Sequence, residues 1–348
     1  MDASLSASAL SIIEVLSNRV PKNPKPLQFS ASTLIKVNYA LDHAWADSTL
    51  LKYRSAVNQF IAFCDSENIP NHFRIPASEH LLCAFAASRV GLLAADTVQN
   101  HLAAIKAWHI YNDKPWRGGT RLHYILNGVA NLTPSSSRKP PRPPITRSML
   151  LLLASHLDLS SPFDACCLAA ACLAMWAQAR LGEILSNWET SFKPAFVVCR
   201  SHLLPPFNKN GSRKCHLPFS KVAKSRGEDI CICRQLGPCD PIAAIDNHLL
   251  INHIPPNLPL FSYLSNRGWR CLTKKKLLLR CNSIWSLAGI PTTTGHSFRI
   301  GGTTELLLAG VPPDVVKALG RWSSDAFLRY WRSLELLAPL HIENLPAS

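Results

Sequence analysis

The chain has 348 residues, of which 47% are hydrophobic and 17% charged, and this balance excludes an intrinsically disordered protein. Its 37 Lys and Arg residues against 22 Asp and Glu give a formal net charge of +15, which favours a polyanionic partner. An anionic membrane surface suits the same charge, but no polybasic amphipathic helix accompanies it, so we expect no membrane association.

The first part of the chain predicts an arm followed by a small helical domain. Residues 1–45 hold scattered Pro and Lys, lack the pattern of a signal peptide, and are expected to form an irregular arm with a short helix. Residues 46–132 carry apolar side chains at helical intervals, with helix-start signals at Asp47, Ser78 and Asp96. Five basic residues of this domain suit either a solvated surface or one that faces phosphates: Lys52, Arg54, Arg89, Lys106 and Arg117.

A Pro- and Ser-rich stretch, residues 133–145, cannot continue a helix and predicts an interdomain linker. Its three positive charges suit a DNA backbone and a solvated tether equally well.

Residues 146–348 predict a larger, mostly helical domain with a small sheet near its middle. A helix is expected over 162–187. Its apolar run, 165–177, is shorter than the roughly 20 residues of a membrane span and predicts a buried core helix.

The 12 cysteines are expected to be reduced structural thiols in an intracellular protein. Cys166, Cys167 and Cys172 fall in the predicted core helix, where thiols behave as small apolar side chains. No pair has the C-x₂-C spacing typical of a zinc site, so we expect no metal ion.

Two residues near the C-terminal end, His296 and Arg299, form the sharpest candidate site. They are three positions apart where a helix is expected to begin, so both side chains would face one pocket. Arg offers a planar donor fork to phosphate oxygens, and His exchanges a proton near neutral pH. The pair therefore suits a phosphodiester. By itself, however, the H-x-x-R spacing is common, and a surface ion pair on a capped helix explains it as well.

Further candidates lie upstream and downstream of this pair. Arg180 directly follows the predicted core helix and needs a partner, because an unpaired buried charge is costly. Glu183 either neutralises Arg180 or orients it toward a phosphate. Downstream, Tyr330 follows Trp322 by eight residues in a segment expected to be helical over 325–337.

The order Arg, Lys, His-x-x-Arg, His or Trp, Tyr resembles the tyrosine recombinase and phage integrase family. The sequences of residues 295–302, GHSFRIGG, and of 320–324, GRWSS, are most similar to those of recombinases of eukaryotic mobile elements, above all fungal ones. The resemblance implies a mainly α fold. A helical, SAM-like core-binding domain would precede a mostly helical catalytic domain with a small antiparallel sheet, and the two would clamp a DNA duplex.

By position, the resemblance assigns six catalytic residues, namely Arg180, Lys221, His296, Arg299, Trp322 and Tyr330. Tyr330 would be the nucleophile that forms a 3′-phosphotyrosine. Lys221 would lie in a β-hairpin turn and protonate the leaving 5′ oxygen, with Lys224 as the alternative. Trp322 takes a place often held by His and can donate only its indole N–H. Its spacing to Tyr330 is one residue shorter than in bacterial and phage relatives.

The implied function is site-specific DNA recombination or integration in the nucleus, by a homo-tetramer that joins two double-stranded DNA sites. The covalent intermediate would conserve the bond energy, so no cofactor is needed for rejoining. Two alternatives stay open. One is DNA relaxation of the type IB topoisomerase kind, and the other is a catalytically silent DNA-binding protein derived from a mobile element.

Overall fold

The computed structural model describes residues 29–137, 140–330, 338–339 and 342–343, with backbone alone at 326, 329 and 330. The chain clusters into two compact units divided between Pro140 and Pro141. The limits of arm, domains and linker given above stay predictions. Across the described residues, no helix combines the length and the apolar character that crossing a membrane requires.

The first unit is built from helices alone in the residues that the structure describes. They are α1 Ala31–Asp42, α2 Asp47–Ser66, α3 Asn71–Arg74, α4 Glu79–Ala87, α5 Ala95–Tyr111 and α6 Thr120–Asn131. Phe60 of α2 and Phe85 of α4 are fully buried at the centre of its core. As predicted, Ser78 starts a helix: its hydroxyl accepts the Leu81 N–H. Asp47 does not cap α2 but lies in its first turn.

The second unit is mostly helical with two small antiparallel sheets. Its helices are α7 Arg147–His156, α8 Pro162–Trp176, α9 Leu181–Ile184, α10 Pro241–Asn252, α11 Lys274–Leu287, α12 Gly295–Leu308 and α13 Pro313–Leu319. Strands β1 Leu203–Pro206, β2 Arg213–Leu217 and β3 Glu228–Ile232 form one sheet, and β4 Ser262–Ser265 pairs with β5 Gly268–Cys271. The small sheet was predicted; the β4–β5 hairpin was not.

Helix α8 is the centre of the second unit, and every residue from Asp164 to Met175 is buried. The predicted core helix is thus confirmed, with Cys166, Cys167 and Cys172 among its buried side chains. The expectation of one continuous helix over 162–187 was wrong. The chain leaves α8 after Trp176, and Gln178 adopts a left-handed φ of 48°. This break reorients the chain and sets Arg180 at the start of α9.

Candidate active site

Arg180, which directly precedes α9, forms an ion pair with Glu183 within that helix. The Arg180 Nη1 lies 2.5 Å from Glu183 Oε1, and the Arg180 backbone N–H donates to Oε2 at 3.1 Å. Glu183 is buried, whereas the Arg180 side chain is 29% exposed. The predicted pairing of Arg180 with Glu183 is confirmed. That Glu183 orients Arg180 toward a phosphate stays a prediction.

A second guanidinium, that of Arg321, contacts the same carboxylate. Arg321 Nη2 lies 2.8 Å from Glu183 Oε2. Burial raises the pKa of Glu183, but Arg321 and then Arg180 lower it more, so its pKa lies below the ordinary value. Glu183 therefore remains ionised between two cations near neutral pH.

Helix α12 packs against neighbouring backbone through two glycines. A Cβ added at Gly302 would overlap the carbonyl oxygen of Met175, and one at Gly301 would overlap that of Ile145. Only a residue without a side chain allows this approach. The contact fixes α12 against the end of α8 and so determines where Arg299, on the preceding turn, lies.

Arg299 is fully buried and connects three segments of the second unit. Its Nη1 donates to the Gln178 carbonyl at 2.5 Å, and its Nη2 donates to the Gly320 carbonyl. Its guanidinium carbon lies 3.9 Å from the centroid of the Trp322 ring. His296, one turn earlier on α12, is half-buried. The guanidinium thus lies inside the protein rather than in an open pocket.

The segment after α13 carries Trp322 and ends at Tyr330. Residues Asp325–Tyr330 form a 3₁₀ turn, so the α-helix expected from residue 325 was wrong over this stretch. Phe327 of the turn packs on Ile300 of α12, with Trp322 against both. The Tyr330 backbone therefore follows a segment anchored to α12; its side chain, and the rest of the predicted helix over 331–337, lie outside the described residues.

The β2–β3 hairpin carries Lys221 on its exposed turn, as predicted. Ser220 and Lys224 exchange backbone hydrogen bonds across the turn, and Lys224 has a left-handed φ of 55°. Glu228, the first residue of β3, lies 3.1 Å from Arg321 Nη1. The turn end of the hairpin is thus connected to the turn after α13, while the choice between Lys221 and Lys224 stays a prediction.

Three residues that the sequence did not single out hold these segments together: Gln178, Glu228 and Arg321. A buried Arg must find an acidic or carbonyl partner, and the sequence around Arg321, LGRWSS, offers no acidic side chain. The burial of Arg321 is not visible in the sequence, however, so no local signal marked this residue. No partner could be named, since its two carboxylates are 93 and 138 residues away along the chain. Among the described residues, no three His, Cys, Asp or Glu side chains cluster as metal ligands.

Known proteins resemble the chain at the level of structure. Neither the protein-family models nor the curated proteins give a match. The XerH site-specific recombinase in a post-cleavage complex with difH substrate gives a TM-score of 0.57 at 15% identity, covering 99% of this chain and 92% of that one. The Tn1549 transposon integrase with transposon right end DNA gives 0.53 at 13% identity, covering 89% and 98%. A lambda integrase dimer bound to a COC' core site gives 0.51 at 13% identity, covering 87% and 95%. The structural neighbours are tyrosine recombinases and integrases, and the chain has the fold of that group.

Proposed function

We propose that this protein cuts and rejoins double-stranded DNA in site-specific recombination or integration, with Tyr330 as the nucleophile. One observation carries the proposal. The turn that bears Arg180, the helix that bears His296 and Arg299, and the hairpin that bears Lys221 all meet the segment that leads to Tyr330. This convergence occurs in a fold shared with recombinases that are structurally similar to the chain.

The chemistry follows from the residue types. The Tyr330 Oη would attack a backbone phosphorus and form a 3′-phosphotyrosine, while the bond to the 5′ oxygen breaks. A phenol has a pKa of about 10, so its proton needs an acceptor, the role proposed for His296. Lys221 would donate a proton to the leaving 5′ oxygen. Attack by a second 5′-hydroxyl on the phosphotyrosine would then rejoin strands and free Tyr330.

The two arginines enter this scheme differently. Arg180 is partly exposed, and the ionised carboxylate of Glu183 binds its Nη1. The exposed part of its guanidinium is therefore available to phosphate oxygens. Arg299 donates to two carbonyls inside the protein. Because Arg299 is also fully buried, contact between its guanidinium and a phosphate requires the residues that cover it to move. We expect stabilisation of the charge that develops on the phosphoryl oxygens to accelerate cleavage more than any other interaction in the site.

The basic surface of the first unit supports a DNA partner. Lys52, Arg54, Lys106 and Arg117 are exposed and suit phosphate contacts. Arg89 instead lies over the Phe85 ring and donates to a backbone carbonyl, so it has a structural partner. Action as a tetramer on two DNA sites, origin in a eukaryotic mobile element and location in the nucleus are parts of the same proposal.

A nicked suicide substrate tests the proposal, because a strand lost after cleavage traps the covalent intermediate. The DNA should come from the repeats that flank the gene. We expect an SDS-resistant band shift with the wild-type protein and none with Tyr330→Phe. Tyr124→Phe, at an exposed position on α6, is the matched control and should behave as wild type.

Two results would contradict the proposal. Absence of any covalent adduct on the flanking repeats, with binding intact, would favour a silent DNA-binding protein. Relaxation of a supercoiled plasmid that lacks these repeats, at the rate seen with them, would favour a topoisomerase.

A further inference from the structure

Arg321 occupies an unusual position for an arginine. It lies in the turn after α13 with a left-handed φ of 56°, a conformation that residues other than glycine rarely adopt. Its side chain is only 10% exposed. Such a residue persists where its surroundings hold it, and the two ion pairs of Arg321 supply that restraint.

The two carboxylates that Arg321 contacts belong to different parts of the candidate site. Its Nη2 contacts Glu183, which also binds Arg180, and its Nη1 contacts Glu228 at the start of β3. Glu228 pairs with Leu217 across the hairpin whose turn carries Lys221. One guanidinium thus connects the partner of Arg180 with the end of the hairpin next to its turn.

We propose that Arg321 is a positioning residue for strand cleavage, holding the Arg180 side chain and the Lys221 hairpin in a fixed relation through Glu183 and Glu228. The inference rests on the proposed DNA cleavage. Arg321 acts through other residues, since its low exposure and two carboxylate partners leave it little access to a DNA phosphate. Its planar fork suits this role, because Lys has no two-pronged donor to span both carboxylates.

The same contacts predict a change in pH dependence when Arg321 is removed. The charged groups that face Glu183 are Arg180 and Arg321, and Glu228 lies on the far side of Arg321. Burial raises the pKa of Glu183, and of the two guanidinia that oppose this rise Arg321 lowers it most. Without Arg321, Glu183 takes up a proton at higher pH, and Arg180 loses its ionised partner there.

The test is single-turnover cleavage of the nicked substrate by full-length protein across the acid pH range. For Arg321→Gln we expect DNA affinity close to wild type, cleavage slower by about 10- to 100-fold, and an acid limb moved to higher pH. Arg321→Lys, which keeps the charge, should recover part of the rate. Arg267→Ala, at an exposed arginine in the β4–β5 turn, is the matched control and should cleave as wild type.

A double-variant cycle separates positioning from a general loss of stability. If Arg321 acts through Glu228, the pair Arg321→Gln and Glu228→Gln should cleave little more slowly than Arg321→Gln alone. Circular dichroism and thermal unfolding show whether each variant is folded at the assay temperature. If Arg321→Gln is not folded, Arg321→Lys takes its place in the comparison. If both Arg321 variants cleave at the wild-type rate and with the wild-type pH profile, the inference is overturned and the proposed function is not. Absence of any adduct with the wild-type protein would overturn the proposed function and the inference with it.

Discussion

The guanidinium of Arg299 stacks on the indole of Trp322, with 3.9 Å between the Arg299 Cζ and the ring centroid. Arg299 is fully buried, and its Nη2 donates to the carbonyl of Gly320, two residues before Trp322. A desolvated cation over an aromatic face is stabilised by about 2 kcal/mol. Trp322 also packs on Ile300 and Phe327. The indole face therefore covers the buried cation and anchors the segment that leads to Tyr330.

The stack predicts that the Trp322 ring matters more than its N–H. Trp322→Phe keeps an aromatic face over Arg299, and we expect it to lower the free energy of unfolding by about 1 kcal/mol. Trp322→Ala removes stack and packing and should cost about 3 kcal/mol. Urea denaturation measures both, and adduct formation should follow the same order. If both variants lose adduct formation equally although Trp322→Phe is stably folded, the indole N–H rather than the ring is what adduct formation requires.

The close approach of α12 to the end of α8 predicts strong sensitivity at Gly302. A Cβ there would overlap the Met175 carbonyl oxygen, so Gly302→Ala should destabilise the protein by about 3 kcal/mol. Gly128 on α6 has open space around it and ordinary helical geometry. Gly128→Ala should therefore stabilise by about 0.5 to 1 kcal/mol. Urea denaturation of the two variants gives the sign of each change in the free energy of unfolding. No change for Gly302→Ala would show that α12 and α8 do not pack as closely as described.

The features that the sequence predicted correctly are those whose signal is local. The cap at Ser78 and the hairpin turn that holds Lys221 depend on neighbouring residues. The mostly helical fold with a small sheet follows from periodicity and turn residues in the same way. Pairing of Arg180 with Glu183 is local too, since one helical turn separates them.

The contacts that assemble the site are not local, and for this reason the sequence did not predict them. The Arg299 Nη1 binds the carbonyl of Gln178, 121 residues away. Gln178, two residues after α8, has a left-handed φ in a run of good helix formers, where propensity alone favours continuing the helix. Its side chain accepts from Thr303 of α12 at 2.9 Å, so the break is held by tertiary contacts.

Stability should fall in mild acid because of His248, which is fully buried. Its Nε2 donates to the Leu260 carbonyl and its Nδ1 accepts from Asn252, which leaves no place for a second proton. Burial lowers the pKa of His248 to about 4, against about 6.5 in an unfolded chain. As pH falls, the unfolded state takes up the proton first, so stability is full above pH 6.5 and declines toward pH 4.

The size of this effect is up to about 3 kcal/mol, from about 1.4 kcal/mol per pKa unit. Urea denaturation of the wild type at several values between pH 7 and pH 4.5 measures the decline. His248→Gln carries no titrating group, and the difference between the two curves isolates His248 from the carboxyl groups that titrate lower. Parallel curves for the two proteins would show that His248 does not bring about the decline.

The assignment of the leaving-group acid predicts a selective chemical rescue. If Lys221 protonates the leaving 5′ oxygen, Lys221→Ala should slow strand cleavage by about 10²- to 10⁴-fold. A substrate with sulfur in place of the bridging 5′ oxygen needs no such proton, because a thiol has a pKa of about 8.5 and leaves as thiolate. On that substrate Lys221→Ala should cleave nearly as fast as wild type.

Lys224 provides the matched control, since it lies on the same exposed turn with the same charge. Lys224 has a left-handed φ of 55°, and its backbone pairs with that of Ser220 across the turn. Lys224→Ala should therefore slow cleavage of both substrates by a small and equal factor, through weaker attraction to DNA. If instead Lys224→Ala is the slow variant and the sulfur substrate rescues it, the acid is Lys224. If sulfur rescues neither variant, the leaving oxygen takes its proton from a group outside this hairpin.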